Sequence, residues 1–273
     1  DEQLLDLAES GQLRVPGTLE GQISRMLADS KSDALITNFT EQWLHLRNIQ
    51  LVSPDPIEFD DFDLNLRQAM QEETKLFLQS QFRENKSVTE LLTADYTFLN
   101  QRLAKHYDID GIYGTHFRRV DLNDESRMGL LGKASILTVT SYAHRTSPVV
   151  RGKWLLENVY GTPPPPPPPD IPALSENEDK NIAPLSVRAR MELHRSNSVC
   201  ASCHKVMDPL GFALENFDGI GRWRSINAAG GPIDAGGMLA NGIPVDGPIT
   251  LRNALVSAPE VFTTTVAQKL LTY

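Results

Sequence analysis

Residues 200–204 read Cys200-Ala201-Ser202-Cys203-His204, a C-x-x-C-H run. This pattern predicts covalent attachment of one c-type haem. Two thiols three positions apart on one helical turn can both add to the vinyl groups of one porphyrin edge. The adjacent His204 then offers an imidazole to the iron as proximal ligand, and axial ligation with its surroundings sets the redox potential. The chain has two cysteines in 273 residues, both in this pentapeptide. None remains for a disulfide or a four-Cys zinc site. A bare C-x-x-C also suits a thioredoxin-like redox pair or half a zinc site. The first wants a strand before the motif in a βαβ pattern, the second a further ligand pair close by. Neither is present in the sequence.

Hydrophobic residues make up 40% of the chain, enough for a core, and the length allows one large or two small domains. The net charge of −9 argues against a nucleic-acid partner, which would call for a basic stripe, and suits a basic redox partner. No apolar run is long enough to span a membrane. No signal peptide is seen, and both ends enter helical patterns, so the sequence reads as a piece trimmed from a longer protein. Haem c is attached outside the bacterial cytoplasm, which places the chain in the periplasm or outside the cell.

The expected fold is mainly α. A helical domain over 1–160 is followed by a connector over 161–185 and a small, mostly helical, cytochrome c-like haem module over 186–273 with Gly/Pro-rich loops, truncated at its C-terminus. In the first domain Thr18 is placed to cap a helix with Leu19, Ile23, Met26 and Leu27 on one face. A second helix from about Ser32 carries Leu35, Ile36, Phe39, Trp43, Leu44 and Leu46. The acidic run Glu58, Asp60, Asp61, Asp63 lacks the EF-hand order and reads as a solvated loop ahead of a helix. That helix, 64–84, is strongly amphipathic. Ser87 to Glu90 has the form of a capping box, and 93–100 leads into a further helix ending near Tyr107. The stretch 117–120 could be extended. Residues 126–140 read as buried, helical at first, with Gly129 and Gly132 permitting close packing.

A helix from Pro148 to Tyr160 puts Trp154, Leu155 and Val159 in the core. Arg151 and Lys153 near its start could hold haem propionates or a partner, or be ordinary surface charges and packed stems. Seven consecutive prolines, Pro163–Pro169, predict a polyproline II rod, about 3.1 Å per residue and roughly 20 Å long. It would serve as a spacer, a strut or a ligand for a proline-reading domain. Beyond the C-x-x-C-H turn, Asp208-Pro209-Leu210-Gly211 is expected to end the helix. The run Phe212–Phe217 would wall the haem, 226–249 would form Gly/Pro-rich loops with a small hairpin, and two helices would close the chain.

Several motifs recur together: Phe39-x-x-x-Trp43-Leu44, Asp95–Asn100, Arg145-Thr146-Ser147-Pro148, Arg151-Gly152-Lys153-Trp154, Gly161-Thr162 with its proline run, and Cys200 through Trp223. In these the chain resembles the large cytochrome-type proteins abundant in planctomycetes and myxobacteria, built of domains of unknown function. The resemblance spans nearly the whole chain. It implies a secreted or periplasmic c-type haem protein, part of a longer polypeptide that often carries another cytochrome domain. It points to the cofactor more than to the activity.

The sixth iron ligand separates the functions. Methionine there makes an electron carrier of raised potential, histidine one of lower potential, and an open position permits peroxide chemistry. Met238, in the Gly-rich loop, and His144, in a polar loop, are the candidates by position. Met128, Met191, Met207 and His194 are further possibilities, although Met207 reads as core. The leading expectation is an electron-transfer module whose partner is a redox protein or another cytochrome domain of the same polypeptide. The alternative is a haem oxidoreductase of peroxidase type, with His144 or Arg145 on an open distal side. A third treats the haem as a folding staple. No nucleophile elbow, phosphate loop or carboxylate dyad suggests another enzyme.

Overall fold

The chain is mainly helical. The computed structural model describes residues 1–166, 187–195, 198–227 and 230–273. Helix α1 covers Glu2–Glu9, α2 Thr18–Ala28 and α3 Ser32–Trp43. Asp1 caps α1, accepting from the Leu4 amide, and pairs with Arg25 of α2 at 2.8 Å. Gly17, in a left-handed conformation, precedes α2, so Thr18 is the first helical residue and not the cap. The expected core face of α2 is not buried either: Leu19, Ile23 and Met26 are 40–49% exposed. In α3 the expectation holds for Ile36, Phe39 and Trp43, and Leu44 and Leu46 follow them into the core, while Leu35 faces out.

Helix α4, Leu64–Arg83, is capped by Asp63, whose carboxylate accepts from the Leu66 amide at 2.6 Å. The acidic run before it serves in ion pairs, Asp61 meeting both Arg102 and Arg222. The short α5, Glu90–Thr93, has no side-chain cap. Ser87 bonds the Thr89 hydroxyl instead of closing a capping box. The stretch expected to lead straight into a helix first forms a strand, β1 (Tyr96–Leu99). Aromatic and β-branched residues favour that geometry, and Asn100 then caps α6, Gln101–His106. Strand β2, Arg118–Asp121, pairs with β1 antiparallel.

A polar network lies under β1. Glu73 of α4 has no exposed surface and accepts from Thr97 at 2.5 Å and from the Tyr107 hydroxyl at 2.6 Å. Lys133, equally enclosed, lies 3.4 Å from Glu73 and donates to Thr97. Arg127 stacks on the Tyr107 ring and donates to the Gly221 carbonyl at 2.9 Å. Segment 126–140 is buried as expected, but its helical part is the second half, α7 (Ala134–Val139), after two 3₁₀ turns. Gly129 has φ +64°, and a β-carbon there would collide with the Leu92 carbonyl.

The remaining elements are α8 (Pro148–Asn158), α9 (Val187–His194), α10 (Ser198–Phe212), the antiparallel pair β3 (Gly236–Met238) and β4 (Pro244–Asp246), then α11 (Gly247–Val256) and α12 (Pro259–Leu271). The expected hairpin and closing helices are therefore present. One hydrophobic cluster runs from Ile36 and Trp43 through Trp154, Leu210 and Phe217 to Leu251 and Phe262, so the core crosses the 161–185 connector. Two tryptophans tie α3 to α8: Trp43 Nε1 donates to the Asn158 carbonyl and Trp154 Nε1 to that of Leu44, both at 3.1 Å. Gly161, just after α8, lies against Thr265 of α12, and Pro163–Pro166 follow it. The rest of the proline run and connector lie outside the described residues. Among the described residues no helix is long and apolar enough to cross a membrane.

Candidate functional site

The C-x-x-C-H run occupies the first turns of α10. Residues four apart on a helix stack on one face, so Cys200 and His204 lie together, with Cys203 about 60° round the axis. Cys200 is buried, Cys203 and His204 are half-buried, and the two cysteines are not joined in a disulfide. One helix thus brings the three residues together.

His204 is oriented by Asp208, the next residue along the same face. Its Nδ1 lies 2.9 Å from Asp208 Oδ1, and Asp208 has no exposed surface. A carboxylate accepts the Nδ1 proton, and this tautomer puts the ring's lone pair on Nε2. Asp208 Oδ2 faces Arg195 Nε at 3.7 Å and has no hydrogen-bond donor among the described residues. The donor set suits haem iron: metal-bound histidines regularly give their other N–H to a carboxylate or carbonyl. Among the described residues, no group of three or more His, Cys, Asp and Glu side chains is gathered so as to hold a metal ion by itself.

The Asp208-Pro209 pair does not end the helix. α10 continues through Pro209 to Phe212. A proline inside a helix removes one backbone bond, and here the bond lost is to the carbonyl of exposed Lys205. Packing compensates. A β-carbon on Gly152 of α8 would collide with the Met207 carbonyl, and one on Gly211 would collide with that of Pro148. The two helices therefore cross antiparallel in backbone contact, with Met207 in the core.

Arg151 is neither a propionate clamp nor a surface charge. It is fully buried and donates to the carbonyls of Leu214, Phe217 and Asp218 at 2.6–2.7 Å. Glu215 lies 3.4 Å away and also accepts from Thr146 and Arg224. Burial lowers the Arg151 pKa to about 10, which leaves it charged at neutral pH. Lys153 is exposed and pairs with Glu157. The Arg145-Thr146-Ser147-Pro148 and Arg151 motifs thus build the turn after α10: Thr146 holds Glu215 and Ser147 caps α8. Leu214 and Phe217, expected to wall the haem, belong to the shared core.

The two distal candidates stand on other elements. Met238 is 57% exposed at the end of β3, whose Gly237 packs on Pro209. His144 is exposed in the loop before α8. Pro148 of that helix meets Gly211, seven residues beyond His204, about 10 Å of helix rise. Met191 is buried on α9, and the His194 side chain lies outside the described ones. Arg188 of α9 stacks on Phe212 and pairs with Asp234 at 2.8 Å, linking α9 to the hairpin. Asp208 and Arg195 were not singled out in the sequence. The signal was the four-residue step from His204, masked by reading Asp-Pro as a helix end.

Two family models match. Residues 1–109 match PSD4, a protein of unknown function (DUF1592), and residues 127–227 match PSCyt3, a protein of unknown function (DUF1588). Both are domains of the planctomycete cytochrome-associated type. The second match takes in α7, α8 and the C-x-x-C-H helix together. No curated protein and no solved structure matches the chain.

Proposed function

We propose that this chain is a c-type haem protein that carries electrons in the periplasm or outside the cell. Its partner is a redox protein or another cytochrome domain of the same polypeptide. One observation carries the reading: two thiols and an imidazole share one end of α10, with the imidazole held through Nδ1 by a buried carboxylate. The haem, when bound, supplies a one-electron iron couple. Cys200 and Cys203 would hold the haem through thioethers, each S–H adding across a vinyl double bond with no leaving group. His204 would offer Nε2 as an iron ligand. The crossing of α8 and α10 anchors the helix from Met207 onward, just beyond His204, and a fixed ligand would lower the reorganisation that electron transfer demands. The haem module, its place within 186–273 and the sixth ligand, Met238 or His144, are part of the same proposal.

A peroxidase-type oxidoreductase is the second reading. The carboxylate on His204 favours it, because added negative charge on the proximal imidazole stabilises a more oxidised iron. An absorption spectrum tests both, taken ferric and then reduced, on protein made in cells with haem-attachment machinery. A low-spin ferric spectrum supports the carrier, and a far-red sulfur-to-iron band would assign methionine. A high-spin ferric spectrum that responds to peroxide supports the oxidoreductase. Absence of covalent haem would overturn both.

A further inference from the structure

Burying a carboxylate is costly unless it is paired, and Asp208 is wholly enclosed. Among the described residues it meets two groups, His204 Nδ1 at 2.9 Å and Arg195 Nε at 3.7 Å. The helix does not need it for anchorage. Gly152, Gly211, Met207 and Leu210 already fix α10 against α8 and the core. Asp208 points its Oδ1 along the helix at the imidazole of His204. Its Oδ2 lacks a hydrogen-bond donor among the described residues, so its charge is only partly offset by Arg195.

We propose that Asp208 is the positioning residue of the iron site. It fixes the His204 tautomer and ring orientation, lends the imidazole anionic character and so favours ferric over ferrous iron, with Arg195 as the counterweight that moderates it. The inference rests on the covalent-haem reading and adds the direction in which the potential is tuned. Groups holding a metal-bound histidine typically shift metal affinity or activity ten- to a hundredfold. A tenfold change in a one-electron equilibrium is about 59 mV.

The test compares the haem-loaded chain with Asp208→Asn and Arg195→Gln. Two readouts are needed: the midpoint potential, and the paramagnetic NMR shifts of the His204 ring protons in the ferric state. Asparagine keeps the shape and an accepting oxygen but removes the charge. It should raise the potential by at least about one factor of ten in the ferric/ferrous ratio, about 59 mV, and move the ring-proton shifts. Arg195→Gln removes a partly exposed cation and should move both readouts the opposite way. If Asp208→Asn does not retain haem, Arg195→Gln alone decides. Unchanged potentials would overturn the proposal. Shifted potentials with unchanged ring-proton shifts would overturn it too, since they would reflect charge acting through space. An unsubstituted chain without haem would defeat the covalent-haem reading, and this inference with it. Haem present with both readouts unmoved would defeat this inference alone.

Discussion

Gly152 of α8 lies directly against the backbone carbonyl of Met207 in α10, with no room for a β-carbon. The reciprocal contact, Gly211 against Pro148, sits one turn further along the crossing. Overpacking a tight site costs about 1–3 kcal/mol and sometimes more. Both contacts here are backbone, which cannot rotate away, so Gly152→Ala and Gly211→Ala should each fall at or above the top of that range. Chemical denaturation measures the loss. Under the proposed covalent-haem reading, loosening the helix next to His204 should also lower the haem bound per chain. Alanine variants as stable as the parent would mean that the helices pack further apart.

The enclosed pair Glu73 and Lys133 makes a second prediction. Removing one partner of a buried ion pair leaves the other uncompensated, at about 3–5 kcal/mol. Lys133→Met should cost that much, although Thr97 and Tyr107 still donate to Glu73. Burial already pulls the Lys133 pKa down, so the ammonium is held mainly by Glu73. The double variant Glu73→Leu/Lys133→Met should cost less than the sum of the single ones. A double-mutant cycle by denaturation decides, and strict additivity would show that the two side chains act independently.

The helices were legible wherever periodicity was long. The face of Ile36, Phe39 and Trp43, the 64–84 helix and Trp154 with Leu155 all read directly from spacing. Short-range rules misled where longer-range packing decides. The face of Leu19 and Ile23 has the right period but no covering layer among the described residues. Tyr96–Leu99 took a strand because β2, some twenty residues later, offered a ladder. Asp208-Pro209 looked like a helix stop because a proline's cost is local, while the α8 contact that outweighs it comes from about sixty residues upstream. Of the candidate site, the clustering of Cys200, Cys203 and His204 was plain from their spacing. Asp208, Arg195 and the true role of Arg151 needed the fold.

Arg151 clamps the turn after α10 through several acceptors at once. Lysine keeps the charge but offers a single point donor instead of a planar fork. Arg151→Lys should therefore leave some of the Leu214, Phe217 and Asp218 carbonyls unmet. Each buried polar group without a partner costs about 1–3 kcal/mol. The expected loss is at least that of one such group, with hydrogen exchange rising first in 214–218. If Arg151→Lys matched the parent in stability and exchange, the clamp would not be needed to hold the turn.

His106 makes the chain acid-sensitive in a definable window. Its ring is buried, with Nε2 2.8 Å from the Ile220 carbonyl. Burial lowers its pKa from 6.5 to about 4, helped by the charges of Arg127, Arg222 and Arg102 and opposed by the Ile220 bond. The folded value lies below the unfolded one, so between them the unfolded chain binds more protons. His106 therefore contributes its full stability above about pH 6.5 and loses it as the pH falls toward 4. The difference is worth roughly 3 kcal/mol, at 1.36 kcal/mol per unit. His106→Gln should be less stable than the parent at pH 7 because it disturbs the Ile220 contact. Its stability should fall less steeply between pH 6.5 and 4, the range set by the shift. Denaturation at a series of pH values compares the slopes, and parallel curves would show that His106 is not the group responsible.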